Sequence, residues 1–394
     1  MQVLLVNSLY QPNIIGGAEK SVQILAESLL ARGHRPVVVT TGDKTFTDTV
    51  NGVIVHYLKI PNLYWVFRAN GQPALLRPFW HAVDSSNPMV PSLIDRILSD
   101  VNPDIVHTHN LAGMSVSVWK AAARRGVPIA HTLRDHYLLC PRTEMYRNGH
   151  NCTEQCRTCR LYSRPKLRAS RLVDGVVGVA KFILEEHVGR GYFANVRIRT
   201  HIYNPIHLPE ELPQRTPDKR AVRFGYVGML VPAKGIEFLL EKFSRMTAPN
   251  AVLRVYGKAL TEEYARSLHK RFGSERISFE GRRPPTEIYS SIDVLIVPSL
   301  RNEAFGRVIP EANSYGLPVI ASNRGAFPEI IDPGKNGFVF DPETDGDLER
   351  RIVSLADEPE KIVRMRSSCL EAAGRFTEEH NTEQYLSVYE ELVR

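Results

Sequence analysis

No stretch of this 394-residue chain is apolar over anything near the ~20 residues that a membrane-spanning helix needs. Val3-Leu4-Leu5-Val6, near the start, is only long enough for a strand, and no small-residue cleavage pattern follows it. A cytoplasmic protein is therefore the expectation. Cysteine is scarce, with five residues in all, too few for a disulfide scaffold in a chain of this length. No short internal repeat is visible, which sets aside solenoids and propellers. The Gly-x-Gly-x-x-Gly fingerprint is missing, and nicotinamide dinucleotide binding is set aside with it.

What is present suits a soluble protein of two domains, since single cores rarely grow past roughly 250–300 residues. Charge is uneven. Residues 1–204 hold 24 Lys and Arg against 14 Asp and Glu, a net of +10, whereas residues 205–394 hold 26 against 29, a net of −3. The basic half would attract an anionic acceptor or an anionic membrane surface, although a solvated face accounts for it equally well.

Short apolar strands alternate with helical stretches, the pattern of βα units and a parallel sheet. The expected strands of the first half are 2–7, 36–41, 53–57, 104–108, 129–133, 176–179 and 198–202. Those of the second half are 224–227, 252–256, 277–280, 294–298, 319–321 and 338–340. Gly33 and Gly126 read as helix stops. Residues 204–223, rich in proline and charge, read as the interdomain linker. Tyr385, Leu386, Tyr389 and Leu392 recur at helical spacing near the end.

The most informative segment runs from Glu303 to Glu329. Glu303 and Glu311 flank a Phe305-Gly306 turn, a helix-starting pattern follows, and Gly316-Leu317-Pro318 leads into an apolar strand. Free N–H groups at a helix start favour a phosphate, and carboxylates accept hydrogen bonds from sugar hydroxyls. Those are the groups of a nucleotide-sugar.

This segment resembles the Glu-x7-Glu motif of the retaining GT4 glycosyltransferases. The resemblance implies the GT-B fold: two Rossmann-like doubly wound α/β domains facing across a cleft. The acceptor-side domain would span 1–204 and the donor domain 205–376, with residues 377–394 as a helix crossing back to the first domain. Gly228 to Gly235 is similar to the family's Gly-Arg-Leu-x-x-x-Lys-Gly stretch, in which the cations hold the donor diphosphate. Lys234 matches, but Met229 stands where the arginine is expected. A methionine cannot neutralise a leaving diphosphate, and Arg307 and Arg282 are the candidate replacements. Gly16 and Gly17 resemble the family's Gly-Gly-Ala-Glu loop beside the donor phosphates. By the same resemblance, Glu303 lies near the transferred sugar, Glu311 binds the ribose, and Ala304, Phe305, Gly306 and Arg307 supply backbone amides. Arg282 falls beside the base.

On the acceptor side, strands ending in His107-Thr108-His109 and in Arg134-Asp135-His136 bring candidate groups together. Arg134 occupies the place of the family's histidine. His109, Arg134, Asp135 and His136 are the candidates for assisting proton removal from an acceptor hydroxyl, and His107 reads as a packed strand-end residue. The activity implied is hexosyl transfer from a UDP- or GDP-sugar to a glycan or lipid-linked hydroxyl. It proceeds with retention, without a divalent metal, and in cell-surface polysaccharide synthesis. No nucleic-acid partner is implied; peripheral association with an anionic membrane stands as the alternative to a solvated basic face. Met229 and Arg134 motivate an alternative, an impaired nucleotide-sugar-binding subunit; a GT-B hydrolase or epimerase is another.

Cys140, Cys152, Cys156 and Cys159 fall in an insertion at 136–165. Their spacing leaves a structural zinc and four thiols both open, with His150 as a spare ligand. Cys369 reads as a small core residue. Tyr64, Trp65, Phe67, Phe79 and Trp80, interleaved with Arg68 and Arg77, suit an acceptor pocket, a membrane-facing loop or plain packing.

Overall fold

Runs such as Val37-Val38-Val39 and Val294-Leu295-Ile296-Val297 are apolar on both faces, as befits parallel strands covered by helices on each side. They form two separate sheets in the computed structural model, which describes residues 1–213 and 217–394. One unit comprises residues 1–145, 152–205 and 378–394; the other comprises 146–151 and 206–377. Part of the expected linker, 214–216, lies outside the described residues.

The first unit holds β1 (Gln2–Val6), β2 (Arg35–Thr41), β3 (Phe46–Val50), β4 (Val53–Leu58), β5 (Ile105–Thr108) and β6 (Ile129–Leu133). After a short hairpin, β7 (Tyr146–Arg147) and β8 (His150–Asn151), come β9 (Gly175–Gly178) and β10 (Ile198–His201). Strand order in this sheet is β10-β9-β6-β5-β1-β2-β4-β3. All neighbours are parallel except β3, which runs antiparallel to β4 at one edge. Gly33 and Gly126 take φ values of 79° and 68° just past their helices, the left-handed stop expected of them.

The last helix, Glu378–Val393, packs in this same unit. The Tyr389 hydroxyl lies 2.6 Å from His107 Nδ1. Leu392 sits so close to β9 that a Cβ on Gly175 would fall 2.7 Å from its Cδ1. Val3, Leu5, Leu25, Ala130, Tyr385 and Tyr389 share one buried core. A segment distant in sequence thus completes the first domain's core.

The second unit holds β11 (Val222–Val227), β12 (Ala251–Tyr256), β13 (Ile277–Gly281), β14 (Val294–Val297), β15 (Val319–Ser322) and β16 (Gly337–Phe340). Their order is β13-β12-β11-β14-β15-β16, all parallel. The helix Ile236–Arg245 buries Ile236, Leu239, Leu240 and Phe243 on one face at helical spacing. In each sheet the order reverses once, at β1/β5 and at β11/β14. A doubly wound sheet opens its ligand crevice at the carboxyl ends of the strands at such a point.

Candidate functional site

The β11/β14 reversal brings together two loops remote in sequence. The loop after β11 ends in the turn Pro232–Lys234, and the loop after β14 runs through Ser299 to Arg307. The Ala233 carbonyl accepts from the amides of Leu300 (3.0 Å) and Arg301 (3.2 Å), tying one loop to the other. Gly235 has φ 73°, and a Cβ there would fall 1.8 Å from the Pro298 oxygen, so only glycine permits this approach.

Three donors converge on one carboxylate oxygen at this junction. Lys234 Nζ lies 2.7 Å from Glu303 Oε1, Arg301 Nε 3.0 Å, and Ser299 Oγ 3.1 Å. The Glu303 side chain is only 12% exposed. Burial alone would raise its pKa, but Lys234 and Arg301 outweigh burial and hold the carboxyl at about 2. Glu303 is thus a fixed negative charge between two cations. Gly325 packs closely on the backbone of Glu303: with φ +62°, a Cβ there would fall 2.2 Å from the Glu303 main-chain carbonyl oxygen.

Eight residues on from Glu303, at Glu311, Arg307 Nε donates to Oε1 at 3.3 Å, and the buried Tyr289 hydroxyl donates to Oε2 at 3.1 Å. Both oxygens of Glu311 are therefore oriented. Gly306, with φ 91°, lets the backbone press against Phe327, where a Cβ would meet the ring at 2.4 Å. Phe305 is buried 5.8 Å from the Phe376 ring, and Ala304 is half-buried. Gly228 abuts Gly257, on which a Cβ would fall 1.8 Å from the Gly228 oxygen. Met229 is exposed, as is Arg282 just after β13.

Of the two expected replacements for an arginine at 229, Arg307 is engaged with Glu311 and Arg282 stands at the exposed end of β13. The cation beside Lys234 is instead Arg301, which sequence reasoning missed. The missed signal was its place only two residues before Glu303, within reach of the same carboxylate.

In the first unit, the β1/β5 reversal carries His109 and, across β6, Arg134 and Asp135. Gly16 and Gly17 begin the helix Gly17–Ala31 of this unit, where the Gly16 amide donates to Glu19 Oε2 at 2.9 Å. His107 is fully buried, held by Tyr389 and by Thr132 at 2.7 Å, a packing role as expected. Arg134 Nε donates to His109 Nδ1 at 3.2 Å, and its guanidinium also donates to Asn204. Burial, with the neighbouring His107 and Arg134 charges, drives the His109 pKa well below its ordinary value. A neutral ring that accepts at Nδ1 carries its proton on Nε2. Nε2 is buried and has no partner among the described residues. His109 is therefore placed to donate a hydrogen bond, and the expectation that it removes a proton does not suit this geometry.

Asp135 suits that role better. It lines a cavity of about 10 Å³ with His109, His131, Arg134 and Tyr137, room for about one water. Its Oδ1 accepts from the Tyr137 amide at 2.7 Å. Burial raises its pKa to about 6, against the pull of that amide and of Lys166. Because the folded value is raised, ionising Asp135 weakens the fold as pH climbs from the ordinary 3.8 through about 6. If Asp135 accepts the proton, turnover should rise through about pH 6 to a plateau, and Asp135→Asn should abolish the rise. Asp84, also raised to about 6 by burial and bonded to the Tyr137 hydroxyl at 2.7 Å, titrates in the same window. Asp84→Asn should keep the rise; a profile that follows Asp84 would reassign it.

The aromatic segment is mostly packing. Trp80 is buried and stacks on Tyr64 at 5.5 Å, while Trp65 donates to Thr41 Oγ1 at 2.8 Å. Leu75 and Phe79 point outward. Cys369 is buried, as expected of a small core residue.

Cys140 and Cys159 sulfurs stand 3.7 Å apart, too far for a disulfide and near the roughly 3.8 Å edge of a tetrahedral thiolate–zinc site. Contact with Cys159, together with the amides of Met145, Arg142 and Glu144, holds the Cys140 thiol below its ordinary pKa despite burial. Yet among the described residues no three His, Cys, Asp or Glu side chains are grouped to hold an ion. Of the four cysteines that the sequence leaves between a structural zinc and free thiols, Cys140 and Cys159 bring their sulfurs together. The chain does carry one Asp-x-Asp triplet, Asp345-Gly346-Asp347, so metal independence cannot rest on the absence of such a motif. Here the triplet is taken up by ion pairs, Asp345 with Lys242 and Asp347 with Arg350.

Two open parallel sheets, each with one reversal and with the charged junction at the second, define a GT-B type α/β protein. Residues 15–208 match "Glycosyltransferase Family 4", and residues 209–371 match "Glycosyl transferases group 1". The chain belongs to this glycosyltransferase family. It is 31% identical over 391 residues to an "Uncharacterized 42.6 kDa protein in cps region" of Klebsiella pneumoniae, covering 99% of this chain and 100% of that one. It is 32% identical over 178 residues to a D-inositol 3-phosphate glycosyltransferase of Corynebacterium efficiens, a match covering 42% of each. Among solved structures, Anabaena Alr3699/HepE in complex with UDP aligns over 100% of both chains with a TM-score of 0.73 at 20% identity. Sucrose-phosphate synthase from Thermosynechococcus elongatus aligns with a TM-score of 0.76 at 17% identity, covering 99% of this chain and 98% of that one.

Proposed function

We propose that the chain transfers a hexosyl residue from a UDP- or GDP-sugar to a hydroxyl of a glycan or lipid-linked acceptor, with retention of configuration. The observation that carries this reading is the convergence of Lys234 and Arg301 on Glu303 at the β11/β14 reversal. A diphosphate entering there meets two cations already held in place by Glu303. Glu303 Oε2 accepts from a hydroxyl of the transferred sugar, and the oriented Glu311 accepts from the ribose. In the first unit, Asp135 takes the acceptor's proton and His109 Nε2 donates to a neighbouring oxygen. No step is assigned to a metal ion.

A role in cell-surface polysaccharide synthesis is supported by the cps-region origin of the Klebsiella relative. The exposed Leu75, Phe79 and Leu161, with exposed arginines at 157, 160, 164 and 168 along the helix Arg157–Ala169, support docking on an anionic membrane that presents the acceptor. The exposed Met229 favours a second reading, a binder that holds the donor without turning it over.

One experiment separates these. Purified protein is incubated with UDP-glucose, UDP-galactose or GDP-mannose, and released nucleoside diphosphate is measured, with product configuration read by NMR. The transferase reading expects release from at least one donor and an unchanged anomeric configuration. Tight UDP binding with no release from any donor would establish the binder.

A further inference from the structure

The hairpin β7–β8 groups with the donor unit, although most of the cysteine-bearing stretch around it does not. Its turn is Asn148-Gly149, with φ values of 52° and 83°, the tight two-residue type with left-handed conformation at both positions. Such a turn is short and stiff, and it fixes where the last residue, Asn151, lies. Asn151 pairs with Tyr146 across the hairpin.

The Asn151 carboxamide grips the backbone of the donor loop. Its Nδ2 donates to the Leu300 carbonyl at 2.9 Å, and its Oδ1 accepts from the Asn302 amide at 2.7 Å. The backbone bends at Leu300 and Arg301, and the two bonds to Asn151 show that the Leu300 carbonyl and the Asn302 amide face the same way. A carboxamide offers one donor and one acceptor in a single plane, so it engages both at once. The residue between these anchor points is Arg301, and the next residue is Glu303. Asn302 in turn accepts from the Gly325 amide at 3.2 Å, and the Ala326 amide donates to the Glu303 carbonyl at 2.9 Å. Anchors on both sides thus hold the segment that presents Arg301 and Glu303.

We infer that Asn151 is a positioning residue of the donor site: it fixes the loop so that Arg301 and Glu303 meet Lys234 in register for the sugar diphosphate. The inference rests on the donor-site reading proposed above. Asn151 acts on the segment 300–303, whereas Glu311 is held by Tyr289 and Arg307. Its loss should therefore disturb the sugar end of the donor more than the nucleoside end. A displacement of this loop on the order of 1 Å is enough to cost tenfold or more in turnover.

The test compares Asn151→Ala, Asn151→Asp and the turn control Asn148→Gly with the unaltered full chain. Backbone hydrogen exchange at residues 300–302 is measured first, because it needs no substrate. Asn151→Ala should lose protection at the Asn302 amide. Asn151→Asp, which still accepts but no longer donates, should keep part of it, and Asn148→Gly should keep all of it. With UDP-sugar, Asn151→Ala should lower kcat at least about tenfold while uridine affinity stays within about threefold. Unchanged exchange in Asn151→Ala overturns the inference, even if the protein turns over no sugar. So does a kcat within twofold of the unaltered chain, or a fall in uridine affinity and melting temperature in step with kcat. Should the unaltered chain prove inactive, the donor-site reading fails, and the exchange result alone decides whether Asn151 holds the loop.

Discussion

Replacing Glu303 by glutamine should lower sugar transfer by about 100-fold or more while leaving a folded protein. The substitution keeps the shape of the side chain and removes its charge. Lys234 and Arg301 then face each other across a neutral amide, and the oxygen that accepts from the sugar hydroxyl weakens as an acceptor. A second consequence follows from the carboxyl's low pKa of about 2, against an ordinary 4.5. A depressed value means that the ionised group stabilises the fold above about pH 4.5, on the order of 3 kcal/mol at most, and that this is lost as pH falls through 2. The melting temperature of Glu303→Gln should thus lie below that of the unaltered chain at pH 7, and the gap should close between about pH 4.5 and 2. Equal turnover, or a gap independent of pH in that window, would remove Glu303 from the site.

The second large effect is expected from the two cations. Lys234→Ala and Arg301→Ala should each lower turnover at least about tenfold, and the double variant by about 10³. Each cation separately forms a charge-assisted bond to Glu303 and would form another to the diphosphate. Because both act on one group, the losses should depart from additivity. If Arg301 takes the part that Met229 cannot, Arg301→Ala should also be partly rescued by Met229→Arg. A single variant that matches the unaltered chain would confine diphosphate binding to the other cation.

Much of this was legible in the sequence, and the reasons differ by feature. Strand positions followed from apolar runs: 129–133 was expected and observed as written, and 224–227, 294–298 and 319–321 differ by at most two residues at an end. Buried parallel strands are bounded by polar turns on both sides, so pattern alone finds them. The edge strand Phe46–Val50 was missed, because four of its five residues are exposed and the apolar alternation is absent. Gly235 and Gly306 were placed by motif, and the structure shows close approaches that demand glycine.

What stayed hidden was contact between distant segments. Arg301 lies two residues from Glu303 and was within reach of inspection. Asn151 lies 151 residues from Asn302, and nothing in the composition of either segment announces the pairing. An Asn-Gly pair favours a tight hairpin turn, but Asn148-Gly149 was not read as one, and nothing in it says what the last residue of the hairpin would hold. The buried Tyr289 behind Glu311 was equally invisible, since a tyrosine in a short helix reads as packing. His109 shows a different limit. Its residue type allows both proton acceptance and donation, and only the bond from Arg134 decides between them.

The account turns on a sugar diphosphate held by Lys234 and Arg301 beside Glu303. Calorimetric titration of the unaltered chain and the Lys234→Ala/Arg301→Ala variant, with UDP and with uridine, tests it most directly. The account predicts that the variant binds UDP at least about 30-fold more weakly, while uridine, which has no phosphate, binds both proteins alike. UDP bound with equal affinity by the two proteins would contradict it.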